Sequence, residues 1–420
     1  MIIDSLQYNG ICGCGKEHRM ETELAVIESG CLKNLADYLA KYGICGYTVA
    51  VYDENTYAAT ADRRPSVDLD IILDPTDLHA NERGVSLLME KLPQNAKVLI
   101  AVGSGTVHDI TRYCAYTKNA EFISCPTAAS VDGFCSSVAA MTWHGCKKTL
   151  TAKAPKLVIA DTDVFMNAPI RLTRSGFGDM IGKYIALADW KIANILTNEF
   201  YCERIAGITK EATSSVLEAV GGIMGGEPQA YEKLMCGLLL SGLAMQMMGN
   251  SRPASGAEHH ISHLIEMAPR GLGISSNALH GEKVGVGTLL AIEEYRRLAK
   301  TAKLDFLDYV EFDRKTAARV FDELTVEEIL RENEHDAASG ITSALLKSHW
   351  AEICEEIEKL PETRRLREVY SKFGVKSQLS DIGLDDTISE KLLDFSPMVR
   401  NRLTLMRLRG VIRTDLKGNN

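Results

Sequence analysis

The sequence predicts an α/β domain with a mainly parallel sheet, followed by an all-α domain, on three observations. Through about residue 165, short β-branched runs alternate with amphipathic stretches, the pattern of βαβ units. From about Ser175 onward, long segments with a 3.6-residue period follow one another and few strand-like runs interrupt them. A length of 420 residues provides for two or three domains and a large core. The division is placed between residues 1–170 and 171–420.

In the first part the expected strands are Tyr47–Tyr52, Lys97–Val102, Glu121–Cys125 and Lys156–Ala160. A helix is expected over Asn81–Leu92. Each strand runs into turn or cap chemistry: Asp53-Glu54-Asn55, Gly103-Ser104-Gly105, Pro126-Thr127 and Asp161-Thr162-Asp163. In parallel sheets ligands gather at the carboxyl ends of strands, where these polar loops fall. In the second part the expected helices are Asp179–Leu196, Glu211–Met224, Glu232–Met248, Glu282–Ala302, Arg314–Leu324, Thr342–Leu360 and Thr363–Phe373. A cleft between the two domains is the expected place for cofactor and substrate.

Composition narrows the function. Hydrophobic residues at 45% and charged residues at 25% are those of an ordinary globular protein. A formal charge of −9 and the lack of a long Lys/Arg block argue against nucleic acid as a partner. The opening residues MIIDSLQYNG have neither a basic nor an apolar signal region, and the apolar stretch Leu234–Met248 is too short to span a bilayer of about 30 Å. No membrane partner is therefore expected. Eleven cysteines without framework spacing point to reduced thiols and a cytoplasmic setting. Cys12 and Cys14 with His18 offer three metal ligands but no fourth at regular spacing, so idle thiols are the favoured reading.

Gly103-Ser104-Gly105-Thr106-Val107-His108-Asp109 follows a strand and opens a helix, where free N–H groups and the helix dipole favour a phosphate. It departs from G-x-G-x-x-G at His108, and the acidic strand end Asp53 precedes the glycine loop, whereas the usual order places it about 20 residues after. Asp53 suits a ribose hydroxyl or, equally, a helix cap. Thr127-Ala128-Ala129-Ser130 and Ser136-Ser137 add small hydroxyls after the next strand.

The second half carries the stronger signal. His259 and His263 stand at i and i+4 on one helix face, with His260 turned about 100° away. His280 precedes another long helix, and Asp179 is expected to open a helix after the turn Gly176-Phe177-Gly178. One carboxylate and two imidazoles suit Zn²⁺, Ni²⁺ or Fe²⁺ with a position left for substrate. Spacing leaves open whether His263 is a ligand or a neighbour. Lys148, Lys183 and Arg252 are the cations nearest these motifs.

Taken in order, Gly103 to Asp109, Thr127-Ala128-Ala129-Ser130-Val131-Asp132-Gly133, Gly178-Asp179, Ser251-Arg252-Pro253 with Gly256-Ala257-Glu258-His259, and Leu279-His280-Gly281-Glu282-Lys283 resemble the glycerol-1-phosphate dehydrogenase family. That family lies in the superfamily of glycerol dehydrogenase, iron-containing alcohol dehydrogenase and dehydroquinate synthase. The bacterial branch matches better, since Cys12-Gly13-Cys14-Gly15 also resembles it. The resemblance implies a Rossmann-like N-terminal domain and a helical C-terminal domain in the dehydroquinate synthase-like architecture. It implies metal ligands Asp179, His259 and His280, and substrate contacts from Asp132, Asp179 and His263, with Asp179 and His263 catalytic. It implies NAD(H) or NADP(H) held by Asp53, Gly105, Thr106, Val107, His108, Asp109, Thr127, Ala128, Ala129, Ser130 and Ser136. The implied reaction is the reversible reduction of dihydroxyacetone phosphate to sn-glycerol 1-phosphate, by a homo-oligomer expected to be a dimer. An unphosphorylated polyol as substrate, or a dehydroquinate-synthase-like lyase, are the competing readings; glutamate is usual at the first ligand position in the lyases, so Asp179 favours the dehydrogenase.

Overall fold

A computed structural model describes residues 1–143 and 146–414. Seven strands form the main sheet: β1 (Ile2–Asp4), β2 (Leu24–Glu28), β3 (Tyr47–Asp53), β4 (Leu69–Leu73), β5 (Ala96–Gly103), β6 (Glu121–Pro126) and β7 (Leu157–Asp161). Their order is β1-β2-β7-β6-β5-β3-β4, parallel except for β1, which pairs antiparallel with β2. The four expected strands are β3, β5, β6 and β7, each within a residue of its expected bounds. Strands β2 and β4 were not expected. An isolated apolar pentapeptide such as Leu24–Glu28 becomes a strand only when β1 and β7 pair with its two edges.

Both faces of the sheet are covered, as a parallel sheet requires. Along β5, Val98, Ile100 and Val102 enter one apolar cluster with Val26, Ala50 and Ile159. Leu99 and Ala101 face the other way, against Val107 and Ile110 of helix α1 (Gly105–Lys118). That two-residue alternation within an unbroken apolar run is the mark of a central strand.

Beyond the sheet come α2 (Ile170–Thr197), α3 (Glu203–Met224), α4 (Pro228–Met248), α5 (Ala257–Met267) and α6 (His280–Lys300), with shorter helices after them. The chain divides into two compact units, one of Met1–Met180 with Gly207–Asn250, the other of Ile181–Ala206 with Ser251 onward. Residues 207–250, expected in the helical second domain, thus cluster with the sheet. Among the described residues no helix is long and apolar enough to cross a membrane.

Two expectations need correction. Asp179 does not open a helix: α2 begins at Ile170, directly after Pro169, and Asp179 lies in its interior. The glycines before it are therefore not a turn. A Cβ on Gly176 would sit 2.1 Å from the carbonyl oxygen of Ala129, so this glycine exists for close approach of α2 to the loop after β6. The helix expected over Arg314–Leu324 is two pieces, Arg314–Ala317 and Glu323–Glu332. Asp322 caps the second by accepting the Thr325 N–H, and Val320 in the break accepts the backbone N–H of Gly271.

Gly176→Ala is expected to destabilise the fold by roughly 3 kcal/mol, since the contact it meets is backbone and cannot rotate away. The midpoint of chemical unfolding measures it, and an unchanged midpoint would show that α2 and the Ala129 loop separate freely.

Candidate active site

The residues expected at a dinucleotide lie at the carboxyl ends of the parallel strands. Asp53 ends β3 and forms a capping box with Thr56: its carboxylate accepts the Thr56 N–H at 2.8 Å, and the Thr56 hydroxyl accepts its N–H at 3.0 Å. After β5, the loop Gly103-Ser104-Gly105 leads into α1, and the backbone N–H of His108 is the first to turn back, onto Ser104. The amides of Gly105, Thr106 and Val107 thus head a 14-residue helix.

His108 is not placed like a ligand contact. Its ring is buried, with Nδ1 3.0 Å from the Ser104 carbonyl and Nε2 2.8 Å from the Ser124 hydroxyl, and it packs edge-on to Phe134. Burial, aided by the nearby Arg112, pushes its pKa down to about 3, so it stays neutral. The side chain ties the glycine loop to β6. Asp109 lies 3.8 Å from Nε of Arg112, whose guanidinium donates to the carbonyls of Phe134, Ser136 and Val138. The Ser136 hydroxyl accepts the Val138 N–H, and Thr127 donates its N–H to Gly103, joining the loops after β5 and β6. Ala128, Ala129 and Ser130 follow, buried, with the Ser130 carbonyl accepting from Ser175.

Asp179, His259 and His280 each offer a ligand atom, and the three atoms lie within 4.8 Å of one another. Asp179 is fully buried on α2, and its Oδ2 accepts the backbone N–H of Asp132 at 3.0 Å. The Asp132 carboxylate accepts in turn from the Ser241 hydroxyl at 2.9 Å.

The histidines are placed by helix starts. Helix α5 begins where Asp189 of α2 accepts the Ala257 N–H at 2.9 Å and Glu258 accepts the Gly256 N–H at 2.9 Å. Helix α6 begins where Glu282 reaches back to the Leu279 N–H. One turn apart on α5, His259 and His263 have ring centroids 6.0 Å apart, and His280 lies 5.3 and 5.9 Å from them. His260, on the same helix, is fully buried. Burial holds His263 well below the usual histidine range, and so neutral.

Two carboxylates complete the arrangement. Nδ1 of His259 is 2.6 Å from Glu258, and Nδ1 of His280 is 2.9 Å from Glu266. A carboxylate partner makes Nδ1 the donor and leaves Nε2 with its lone pair, the tautomer a metal ligand needs. Glu258 was legible as the neighbour of His259, whereas the Glu266–His280 pair joins two helices and had no local signal. Lys283, from the His280 motif, has its ammonium 3.7 Å from Glu266.

Of the three cations nearest the motifs in sequence, two are engaged by protein partners. Lys183 is buried and donates to the Ala254 carbonyl. Arg252 donates to the carbonyls of Asp189 and Leu403 and pairs with Glu199. Lys148 is half-buried on the strand Cys146–Thr151.

Residues 26–169 match the family of iron-containing alcohol dehydrogenases. In fold, the chain is similar to the crystal structure of sulfoacetaldehyde reductase from Bifidobacterium kashiwanohense in complex with NAD⁺, with a TM-score of 0.61 at 14% identity, covering 92% of this chain and 94% of that one. It is 34% identical over 406 residues to glycerol-1-phosphate dehydrogenase (NAD(P)⁺) of Geobacillus thermodenitrificans, covering 94% of each. With the enzyme of that name from Geobacillus stearothermophilus it shares 35% identity over 407 residues, again 94% of each. Identity at that level along nearly the whole of both chains places this chain in the glycerol-1-phosphate dehydrogenase family.

Proposed function

We propose that this chain reduces dihydroxyacetone phosphate to sn-glycerol 1-phosphate, reversibly, with NADH or NADPH and one divalent metal ion. It is an NAD(P)-dependent, metal-containing dehydrogenase by family. The observation that carries the specific reading is the convergence of Asp179, His259 and His280 within 4.8 Å in a chain similar over its length to enzymes of that name. One carboxylate and two imidazoles, with Glu258 and Glu266 behind the imidazoles, fit a first-row divalent cation such as Zn²⁺, Ni²⁺ or Fe²⁺. Held there, the cation would supply Lewis acidity to the substrate oxygen, and the bound nicotinamide would supply the hydride.

The chain's own groups set up the rest. The N–H of Asp132 fixes one oxygen of Asp179, so the other is aimed by the backbone and not by a free rotor. Glu258 and Glu266 hold their imidazoles in one tautomer and one orientation. His263, neutral through burial and stacked on His280, is suited to pass a proton by donating at one ring nitrogen and accepting at the other. The N–H groups at the head of α1 suit a pyrophosphate, and the capped start after Asp53 suits a ribose. Buried Cys31, Cys114, Cys125 and Cys135 are thiols, which supports a cytoplasmic setting.

The test is NADH oxidation with dihydroxyacetone phosphate, before and after chelation and with Zn²⁺, Ni²⁺ or Fe²⁺ restored. Activity is expected to vanish on chelation, return with metal, and far exceed that with unphosphorylated dihydroxyacetone. Oxidation of NADH by neither ketone in any metal-restored sample would overturn the reading. Asp179→Asn is expected to lose bound metal and turnover together, while His263→Ala keeps the metal and loses roughly 100-fold in rate. Metal analysis beside kcat separates the two, and full turnover in either variant would remove that residue from the scheme. Glu266→Gln is expected to weaken metal binding by about 10- to 100-fold, read by competition with a chelating dye.

A further inference from the structure

We infer that the chain binds a second, structural zinc ion through Cys12, Cys14, His18 and Cys202. The inference stands independently of the proposed reaction.

The first three ligands come from one tight hairpin. Strands Gly10–Ile11 and Glu17–His18 pair antiparallel, and between them Cys12 donates its N–H to Lys16 at 2.9 Å while Gly15 donates to Cys12 at 3.0 Å. Gly15 takes a φ of +82°, which side-chain-bearing residues rarely adopt. The turn folds Cys12 and Cys14 back over His18. The fourth ligand comes from the connection after α2: Cys202 immediately precedes α3, and its carbonyl accepts the Ala206 N–H in the first turn. Each of the four offers a ligand atom, and all four atoms lie within 4.8 Å of one another. This supplies the ligand that spacing alone lacked.

The geometry matches a tetrahedral ion. With metal–sulfur near 2.3 Å and metal–nitrogen near 2.0–2.1 Å, a tetrahedron has a sulfur–nitrogen edge of about 3.6 Å. Sγ of Cys14 lies 3.4 Å from Nε2 of His18. The other ring nitrogen, Nδ1, is 2.8 Å from the Met247 carbonyl, so it carries the hydrogen and Nε2 presents its lone pair to the cysteines. His18 is buried, so the orientation is fixed.

The hairpin also needs such a tie. Strands of two residues are marginal alone, and the Ile11 side chain beside the turn is 90% exposed, so it adds little burial to hold the hairpin. Three thiolates and an imidazole select Zn²⁺ among divalent ions, and four protein ligands leave no position for substrate, which makes the site structural. Binding releases the three thiol protons to solvent and leaves the centre with one net negative charge.

Sulfur ligands distinguish this site from Asp179, His259 and His280, which have none. Full-length protein is purified under reducing conditions, loaded with Zn²⁺ or Co²⁺, and its metal counted. The wild type is expected to hold two equivalents, and its cobalt form to show a thiolate-to-cobalt charge-transfer band in the near ultraviolet. His280→Ala is expected to keep that band and one tightly held zinc. Cys202→Ser, and separately Cys12→Ser with Cys14→Ser, are expected to lose the band and one equivalent. If those variants fail to fold, the wild-type cobalt spectrum still decides. No thiolate band in the cobalt-loaded wild type, or a disulfide among these cysteines in the freshly purified chain, overturns the inference.

Discussion

The carboxylate of Asp189 is the constraint on which the helical unit depends. It is buried, which pushes its pKa up to about 6, and it accepts hydrogen bonds from the Ala257 N–H, the Leu405 N–H and the Tyr295 hydroxyl. Three donors offset much of the cost of burying it. Through them one residue of α2 fixes the start of α5, the start of the short helix Leu405–Leu408, and the middle of α6. Tyr295 extends the chain by accepting the Met406 N–H. The first turn of α5 carries His259, so its position is inherited from this carboxylate, as is that of His263 one turn later.

A second constraint lies in the sheet unit, where Asp179 is held from both directions. The glycine three positions before it lets α2 press against the Ala129 carbonyl, and that approach brings the following loop close enough for the Asp132 N–H to reach Asp179. A bulkier residue at 176 would hold the loop off and with it the donor. The packing requirement and the electrostatic one are met by the same missing Cβ.

The three ligand-like histidines are controlled in one way. His259, His280 and His18 each have Nδ1 engaged by an oxygen, from Glu258, Glu266 and the Met247 carbonyl respectively. Each is left with Nε2 as its acceptor. His108 shows the contrast: both its nitrogens are engaged by backbone and hydroxyl, and it serves only to tie the glycine loop down. Burial and tautomer, not residue type, separate ligand-like histidines from structural ones.

The sequence by itself determined the strands β3, β5, β6 and β7 and the helical second half, because these rest on local periodicity. Helix Thr363–Phe373 was legible to the residue for the same reason. Residue type and spacing drew Asp179, His259, His263 and His280 together, and the family resemblance, not spacing, singled out Asp179, His259 and His280 as the ligands. What lay beyond the sequence was every feature set by a partner far along the chain. Strand β2 needed two neighbouring strands, Gly176 needed Ala129, and Glu266 needed His280. Lys183 and Arg252 read as open cations until the carbonyls of Ala254, Asp189 and Leu403 took their donors. Cys202 lies 184 positions beyond His18 (202 − 18), and no local pattern links them. Periodicity reports which face of an element is buried, but only tertiary structure decides what it is buried against, and the chemistry of a side chain follows from that neighbour.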